Sequence, residues 1–396
     1  MKRENEIIAA DPFVLYDEAS GYYYCYSTND ALNKAFSIHK SKDKLNWEFV
    51  NYALDLTHEN IWGRDWFWAP ECYYNPNNKH YYLFYSARVK RELTSGYFID
   101  PLYEEDAKIG VAISKSPEGP FINMSNKPMD FYPFDSEYLN VEALTDKMYE
   151  MDNASILEGA TKGNYIPCID ANLLIEGERI IMYFSRCCYM NCRFDERFNR
   201  FIESSNVACV ELNSDWWFDK EAKLEPTIKD EFKVMCEDGR RRDKFITLIS
   251  YQLEPQEWEN GHVDDYRIHK GLRKNRRWSE GSTTFPVMFN GQPHYALTYS
   301  CNCYEDSDYA VGIAFATDPL GPFKKYPLNP VIKGNDDVSS LGHGSLVVED
   351  GEYYYFLHGR TVLENPRILC YTKINFEEEN VSSDLITVCK LEKEEN

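Results

Sequence analysis

The sequence predicts an all-β fold, a five-bladed β-propeller, and three observations lead to this prediction. A short aromatic run that ends in a small polar residue or a histidine recurs along the chain. Before each run lies a segment that opens with a residue able to take part in catalysis or, once, with a tryptophan-rich stretch. After each run lies a further β-rich segment. Repetition of one β unit along a chain is typical of radial arrays of small sheets.

The aromatic runs are the predicted second strands of the repeat. They are rich in Tyr, Phe and Ile, residues that favour strands. Clusters of Gly, Asn and Asp precede the runs, as in Asn290-Gly291, and such clusters between β-rich segments predict hairpins. The runs occupy residues 22–27, 81–86, 180–185, 295–300 and 353–358.

A first and a third strand flank each aromatic run. The first strands are predicted at 11–16, 69–74, 170–175, 283–288 and 345–348, and the third strands at 36–39, 109–113, 206–210, 311–315 and 368–371. A turn followed by an aromatic residue then begins a short fourth strand, at 41–47, 114–121 and 316–323. Five units of this kind predict five blades in a single domain over residues 1–396.

Insertions interrupt the repeat at 88–106, 125–167 and 211–278. The large insertion at 211–278 separates the third unit from the fourth. Long insertions in compact domains are often functional. We therefore expect them to carry loops and short helices over the mouth of the channel.

Propeller geometry brings distant residues of the sequence together. The first strand of each blade lines the central channel, and the starts of these strands face one mouth. Asp11, Asp170, Glu280 and His343 should therefore converge in one pocket. Three carboxyl groups beside a histidine suit glycoside hydrolysis, in which inverting enzymes hold an acid and a base roughly 6.5–9.5 Å apart.

Composition excludes several classes of partner. The formal net charge of -22 repels nucleic acid and anionic membranes, and no apolar run is long enough to span a bilayer. The N-terminus shows no apolar export segment, and the 12 Cys are scattered, which favours reduced thiols. We expect a cytoplasmic protein that binds a neutral oligosaccharide, with no nucleic-acid or membrane partner. The oligomeric state stays open.

The segment 62–68 is rich in both aromatic and charged residues. It precedes the second aromatic run, at the predicted mouth of the channel. Flat rings stack on the C–H faces of a sugar while neighbouring polar groups bond its hydroxyls. The segment therefore predicts a sugar-binding surface, and a buried aromatic plug is the alternative.

Five short motifs in a fixed order resemble those of glycoside hydrolase family 43. They are Ala10-Asp11-Pro12, Trp68-Ala69-Pro70-Glu71, Ile169-Asp170-Ala171, Ser279-Glu280-Gly281 and Gly342-His343-Gly344-Ser345. Each motif is common by itself, but the ordered set is specific and covers nearly the whole chain. The resemblance implies an inverting hydrolase on a five-bladed propeller that acts on arabinose- and xylose-containing glycans.

The resemblance also implies a role for each residue. Asp11 would be the general base and Glu280 the general acid. Asp170 would orient Glu280 and tune its pKa. Trp68 would line the sugar subsite, and Arg360 would contact the terminal sugar.

His343 matches a family histidine that lies near a hydrated divalent ion, usually calcium. Calcium takes about six to eight oxygen ligands, so one histidine with water is a sparse set. The chain departs from the family at Glu280-Gly281-Ser282, where Glu-Gly-Pro is common, and in the long interval from Asp170 to Glu280.

The expected substrate follows from the expected cytoplasmic location. An enzyme that meets only imported fragments should act on the ends of short oligosaccharides. We expect an α-L-arabinofuranosidase, with β-xylosidase or arabinanase activity as the alternatives within the family. The terminal pentoses present similar hydroxyl patterns, so the sequence does not separate them.

Two functions other than that of an inverting hydrolase remain open. A retaining relative on a related propeller would use Asp11 as the nucleophile, with carboxyl groups about 5 Å apart. Arg64-Asp65 and Glu71-Cys72 are similar to motifs of that group, although they lie close together in this chain. A non-catalytic carbohydrate-binding or interaction propeller would not need three carboxyl groups at the starts of three units.

Overall fold

The computed structural model describes residues 5–29, 34–98, 102, 105–129, 167–195, 199–235, 241–243, 245–251, 253–264 and 273–392. Residues 130–166 of the predicted insertion 125–167, and parts of 211–278, lie outside these ranges. The prediction of an almost entirely β fold is confirmed. The helices within the described ranges are short: α1 (Arg91–Thr94), α2 (Asp215–Phe218) and the 3-10 turns Asp230–Phe232 and Glu257–Glu259. None of these is long and apolar enough to cross a bilayer.

Two antiparallel sheets come from the N-terminal part of the chain. Sheet 1 contains β1 (Ala10–Asp17), β2 (Tyr22–Thr28), β3 (Phe36–Ser41) and β4 (Asn46–Tyr52). Sheet 2 contains β5 (Gly63–Asn75), β6 (His80–Val89), β7 (Ala107–Ser114) and β8 (Ile122–Asn123). Within each sheet the strands pair in chain order.

Sheets 3 and 4 follow the same order but are joined to each other. Sheet 3 contains β9 (Cys168–Glu176), β10 (Arg179–Asp195) and β11 (Arg200–Leu212). The insertion then forms β12 (Lys233–Met235), β13 (Arg241–Asp243), β14 (Ile246–Ile249) and β15 (Gly261–Val263). Sheet 4 contains β16 (Lys274–Phe289), β17 (Gln292–Cys301), β18 (Ala310–Ala316) and β19 (Lys324–Lys325). A parallel pairing of residues 201–205 with 274–278 joins β11 to β16.

Sheet 5 ends the series, and the C-terminal strand returns to the beginning. The sheet contains β20 (Ser339–Glu349), β21 (Glu352–Arg360), β22 (Ile368–Glu377), β23 (Asn380–Ser383) and β24 (Thr387–Val388). Strand β25 (Lys390–Leu391) then pairs in parallel with β4 of sheet 1. The first strands contact one another in turn, β1 with β5, β5 with β9, β9 with β16, β16 with β20, and β20 with β1.

A buried cluster lies between each pair of neighbouring sheets. Large aromatic side chains interdigitate there, as the predicted aromatic runs require. Representative members from the two sides are Tyr26 and Tyr85 between sheets 1 and 2, Phe84 and Met182 between 2 and 3, Tyr183 and Tyr299 between 3 and 4, Ile313 and Tyr355 between 4 and 5, and Trp47 and Phe356 between 5 and 1. The aromatic runs of the sequence thus form the contacts between sheets.

The large insertion does more than form loops over a mouth. Helix α2 packs Trp216 against Tyr82 of sheet 2 at a ring distance of 4.9 Å. Strand β14 pairs with β11, and β15 pairs with β16. Lys325 of sheet 4 donates to Glu259 over 2.6 Å, with both side chains almost fully buried. The insertion fills space between sheets because its own aromatic residues need burial.

Candidate active site

A left-handed residue lies at the same place in all five first strands. These residues, which we call the inner ring, are Asp11 (φ 48°), Ala69 (48°), Asp170 (61°), Gly281 (57°) and His343 (44°). Each lies at a register shift against the second strand of its sheet. Non-glycine residues seldom adopt this conformation, and strained backbone clusters at functional sites.

Hydrogen bonds join the inner ring to the neighbouring sheets. Each N–H donates to a side chain near the end of the second strand of the preceding sheet. The pairs are Asp11 with His358 Nδ1 (3.1 Å), Ala69 with Thr28 (2.9 Å), Asp170 with Ser86 (3.0 Å), Gly281 with Ser185 (3.3 Å) and His343 with Ser300 (2.7 Å). These acceptors are the polar residues that end the aromatic runs, except that the first run uses Thr28 rather than Ser27.

Asp11 is a buried carboxylate surrounded by donors. Arg367 Nη1 donates to Oδ1 over 2.8 Å, and Thr28 donates to Oδ2 over 2.8 Å. The Nδ1 atoms of His343 and His358 each lie 3.4 Å from Oδ1. Burial alone would raise the pKa of Asp11, but Arg367 and the two histidines outweigh burial and hold that pKa far below its usual range. Asp11 is therefore ionised at any pH near neutral.

Asp170 and Glu280 form a second group of carboxyls on neighbouring first strands, β9 and β16. Ser185 donates to Asp170 Oδ2 over 2.8 Å and accepts from the N–H of Gly281, the residue after Glu280. Burial raises the pKa of Asp170 to about 7; the charge of His343 opposes this rise and the charge of Glu280 adds to it. Asp170 can therefore retain a proton near neutral pH, unlike Asp11.

Two side chains orient the Glu280 carboxyl. Trp278 Nε1 donates to Oε2 over 2.6 Å, and the Tyr309 hydroxyl donates to Oε1 over 2.7 Å. An indole N–H can only donate, so a proton on Glu280 belongs on Oε1, beside a hydroxyl that can also accept. The Tyr309 ring lies parallel to that of His358 at 5.6 Å. His358 Nδ1 in turn accepts a hydrogen bond from the backbone N–H of Asp11, so the stack of Tyr309 on His358 connects the two groups of carboxyls.

His343 lies among the carboxyls, and its pKa responds to them. Burial lowers the pKa of His343, but Asp11, Asp170 and Glu280 outweigh burial and raise it. These carboxyl groups are already engaged as acceptors: both oxygens of Asp11, both of Glu280 and Oδ2 of Asp170. Within the described ranges, no group of three or more His, Cys, Asp or Glu side chains could hold a metal. The residues present do not provide the oxygen ligands that calcium requires.

Trp68 is half-buried and forms part of an aromatic stack on β5. Its ring lies parallel to Trp66 at 4.7 Å, and the Arg88 guanidinium lies 4.0 Å from the centre of the Trp66 ring. Trp66 has φ 52°, an outlier for so bulky a residue. A cavity of about 180 Å³, lined by Asp65, Trp66 and Trp68 among others, adjoins the stack.

Arg360 does not reach the carboxyl groups. Its guanidinium donates to the carbonyls of Tyr304, Leu363 and Asn365, which lie on nearby loops. The arginine at Asp11 is Arg367, which follows that loop and packs 4.4 Å from the centre of the Tyr304 ring. The structure thus brings together Asp11, Asp170, Glu280 and His343, with Arg367 beside Asp11.

Comparison with known proteins shows a likeness to one family of glycoside hydrolases. The sequence model of glycosyl hydrolases family 43 matches residues 6–181. A crystal structure of a thermostable family-43 glycoside hydrolase is 25% identical and superposes with a TM-score of 0.64, covering 96% of this chain and 94% of that one. The chain is thus similar to glycoside hydrolase family 43 in sequence over residues 6–181 and in fold over nearly its whole length.

Two other comparisons are more limited. The structure of an endo-1,4-beta-xylanase from Bacteroides thetaiotaomicron is 24% identical, with a TM-score of 0.62 and coverage of 98% and 99%, and shares the fold. A curated beta-D-galactofuranosidase from Aspergillus niger is 31% identical over 104 residues. That match spans 25% of this chain and 30% of the length of the relative.

Sequence reasoning missed several residues of this site. Arg367 and Tyr309 lie in loops or at strand ends outside the recurring motifs. Trp278 lies two residues before Glu280. Side chains at this separation lie on the same face of a strand, so the two can make contact. Glu71 belongs to a recognised motif, yet its side chain received no role in the expected family 43 mechanism.

Proposed function

We propose that this chain is an inverting, exo-acting glycoside hydrolase that releases terminal pentose, mainly as an α-L-arabinofuranosidase. The contrast between the two groups of carboxyls carries the proposal. Asp11 is held ionised by Arg367, whereas Asp170 and Glu280 adjoin each other and Asp170 has a raised pKa. Carboxyl environments that differ in this way separate a base from an acid.

Asp11 acts as the general base in this proposal. It accepts a proton from a water molecule whose oxygen bonds to the anomeric carbon while the glycosidic C–O bond breaks. The first strand β20, with His343, lies between β1 and β16 in the ring of contacts. This placement supports the wider carboxyl separation, about 6.5–9.5 Å, that leaves room for the water.

Glu280 acts as the general acid. It transfers its proton to the leaving oxygen, and Asp170, linked through Ser185 to the backbone next to Glu280, would orient it. Trp278 and Tyr309 hold the carboxyl, with the proton on Oε1. Exchange with solvent then returns the proton from Asp11 to Glu280 and restores the enzyme for another cycle.

The proposal includes a five-bladed propeller that forms one domain over residues 1–396. The cyclic contacts of the first strands, the five clusters between sheets and the hydrogen bonds of the inner ring support five blades. Pairing of β25 with β4 would close the ring between the two ends of the chain.

The stack of Arg88, Trp66 and Trp68 would form the sugar platform. Trp68 immediately precedes Ala69 of the inner ring, next to Asp11 in the order of strands. Packing on Trp66 limits the rotamers of Trp68, so less entropy is lost when a sugar ring stacks on it. Stacking of this kind would orient a terminal sugar with its anomeric carbon toward Asp11.

A furanose substrate is favoured over a pyranose by one comparison. The curated relative with 31% identity is named a beta-D-galactofuranosidase. α-L-Arabinofuranose has the same ring stereochemistry as β-D-galactofuranose and lacks only its outermost carbon. We therefore place α-L-arabinofuranosides first and β-D-galactofuranosides second, with β-xylosides and arabinan as the alternatives within the family.

Hydrolysis of para-nitrophenyl α-L-arabinofuranoside, β-D-galactofuranoside and β-D-xyloside, together with debranched arabinan, would test the proposal. Wild type would be compared with Asp11→Asn and Glu280→Gln, each checked for folding by circular dichroism. We expect cleavage of the arabinofuranoside at the highest kcat/KM and loss of most activity in both variants. NMR of the first-formed sugar should show inverted anomeric configuration.

Three results would each overturn a different part of the proposal. Retention of configuration would make Asp11 a nucleophile rather than a base. Release of internal fragments from arabinan alone would replace exo action with endo action. Inactivity of wild type on a broad panel, with binding of oligosaccharide retained, would favour a non-catalytic propeller.

A further inference from the structure

A fourth buried carboxyl, Glu71, lies beside the proposed catalytic group and has no place in the mechanism above. It lies two residues after Ala69 of the inner ring, on β5, and its side chain is 9% exposed. Its hydrogen-bonding partners are Tyr73 on the same strand and Asn172 on β9. No basic side chain of the described ranges forms a salt bridge with it. Glu71 is therefore a buried acid held by neutral donors.

The direction of each hydrogen bond around Glu71 is determined by backbone groups. The N–H of Thr284 donates to the Asn172 side-chain oxygen over 3.0 Å, so the Asn172 NH₂ group faces Glu71 and donates to Oε2 over 3.1 Å. The N–H of Leu173 donates to the Tyr73 hydroxyl over 2.7 Å, so that hydroxyl directs its own proton to Oε2. Glu71 Oε2 must therefore act as an acceptor of two bonds.

These bonds connect the strands that carry the catalytic group. Asn172 follows Asp170 by two residues on β9, and Thr284 follows Glu280 by four residues on β16. The path from Glu71 through Asn172 to Thr284 therefore spans sheets 2, 3 and 4 next to the catalytic carboxyls. Loss of the acceptor at Glu71 would leave the Asn172 NH₂ group only its longer bond of 3.3 Å to the Tyr73 hydroxyl, and would loosen the spacing of β9 and β16.

We propose that Glu71 is a positioning residue that acts through Asn172, as an uncharged hydrogen-bond acceptor, to align Asp170 with Glu280. The inference rests on the proposed acid role of Glu280. Asp170 lies close enough to disfavour another negative charge at Glu71. Burial is the main cause that raises the pKa of Glu71 to about 8; the bonds from Tyr73 and Asn172 oppose the rise, as does the charge of His343, and Asp170 adds to it.

Two substitutions separate the possible roles of Glu71. Glu71→Gln keeps an acceptor oxygen for Asn172 and Tyr73 and removes the ability to ionise. Glu71→Met keeps the volume and removes the acceptor. The matched controls are Glu178→Gln and Glu178→Met, at an exposed turn between β9 and β10. Thermal unfolding and circular dichroism would establish that each variant is folded.

The readout is kcat on two series of aryl arabinofuranosides, with good and with poor leaving groups. A general acid contributes roughly 10²–10⁴-fold, mostly when the leaving group needs protonation. We expect Glu71→Gln to stay within about threefold of wild type, and Glu71→Met to lose about tenfold or more with poor leaving groups but far less with good ones. Both Glu178 variants should match wild type.

The other outcomes would overturn the inference in distinct ways. A loss in Glu71→Gln as large as that in Glu71→Met would mean that an ionised Glu71 is required. Equal losses with good and poor leaving groups would indicate a general structural effect. Unchanged kcat in a folded Glu71→Met would exclude a positioning role while leaving the proposed function intact. An inactive wild type on the whole panel would overturn both proposals.

Discussion

The backbone of Gly281 lies directly against the imidazole of His343. A Cβ atom built on Gly281 would lie 2.7 Å from Cγ of that ring, far inside normal contact. Gly281 also has φ +57°, and it follows the proposed acid Glu280. His343 also borders Asp11. The contact between Gly281 and His343 therefore determines how closely β16, which carries the proposed acid, approaches the imidazole beside the proposed base.

Gly281→Ala should therefore impair both activity and stability. The methyl group must displace His343 or the β16 backbone, and a displacement of about 1 Å can cost on the order of 10²-fold in rate. Overpacking and left-handed strain should lower the free energy of unfolding by about 1–3 kcal/mol. Steady-state kinetics and thermal denaturation would measure the two effects.

Gly291→Ala is the matched control for this change. Gly291 has φ +67°, but no atom lies within 4 Å of a Cβ built there. This variant carries the backbone strain without the clash, so it should lose about 1 kcal/mol of stability and no activity. If both variants keep full activity, the contact between Gly281 and His343 does not control catalysis.

Arg367→Met should change the pH dependence of kcat/KM. Burial raises the pKa of Asp11, and Arg367 is the largest influence that lowers it, so removing Arg367 raises that pKa. A base works only when ionised, so activity should be lost at a higher pH as the solution is acidified. The acidic limb should move upward by about 1–3 pH units, and much of the activity should return at higher pH.

Arg360→Met provides the comparison for Arg367→Met. Arg360 binds the carbonyls of a loop rather than Asp11, so its removal should leave the acidic limb in place. The sequence predicted that Arg360 contacts the terminal sugar. A marked rise in KM in Arg360→Met, with an unshifted pH profile, would support that prediction, whereas an upward shift of the acidic limb would contradict the assignment of this effect to Arg367 alone.

The aromatic stack predicts different effects for two substitutions of Trp66. Trp66→Ala and Trp66→Gly both remove the ring that supports Trp68, so both should raise KM for pentosides more than they lower kcat. Trp66 has φ 52°, a conformation that glycine adopts without penalty. The Gly variant should therefore be more stable than the Ala variant by about 1 kcal/mol, measured by chemical denaturation. Equal KM values in wild type and both variants would contradict a sugar platform at Trp68.

Removal of divalent ions should leave activity unchanged. The carboxyl oxygens around His343 already accept hydrogen bonds, so the described residues do not form a calcium cage. We expect the same kcat/KM before and after treatment with EGTA, and no rise in melting temperature when calcium is added. Activity lost on chelation and restored by calcium in wild type, but not in His343→Ala, would place an ion at His343.

Local sequence patterns were sufficient to predict the strands and the convergence of the acids. An aromatic, β-branched run favours a strand wherever it lies, and a repeated unit places equivalent residues in equivalent positions. For this reason Asp11, Asp170 and His343 were predicted at the places where the inner ring now shows left-handed residues. The polar ends of the aromatic runs were also recognised, although their role as acceptors from the next sheet was not.

The tertiary structure decided what lies around each acid. Thr28 rather than Ser27 meets Ala69 because Thr28 pairs with Ala10, the residue before Asp11, in the same way that Ser86 pairs with Trp68, the residue before Ala69. The aromatic pattern alone does not reveal this register. Arg367 reaches Asp11 because of the path that the preceding loop takes, and the sequence does not show that path.

The sequence by itself determined the β repeats, the family resemblance and the carboxyl residues that meet, because these depend on local propensity and on repetition. Only the tertiary structure decided the state of those carboxyls. A pKa depends on burial and on charges within a few ångströms, and those neighbours come from distant parts of the chain. Arg367 beside Asp11, Tyr309 beside Glu280 and Asn172 beside Glu71 are contacts of that kind.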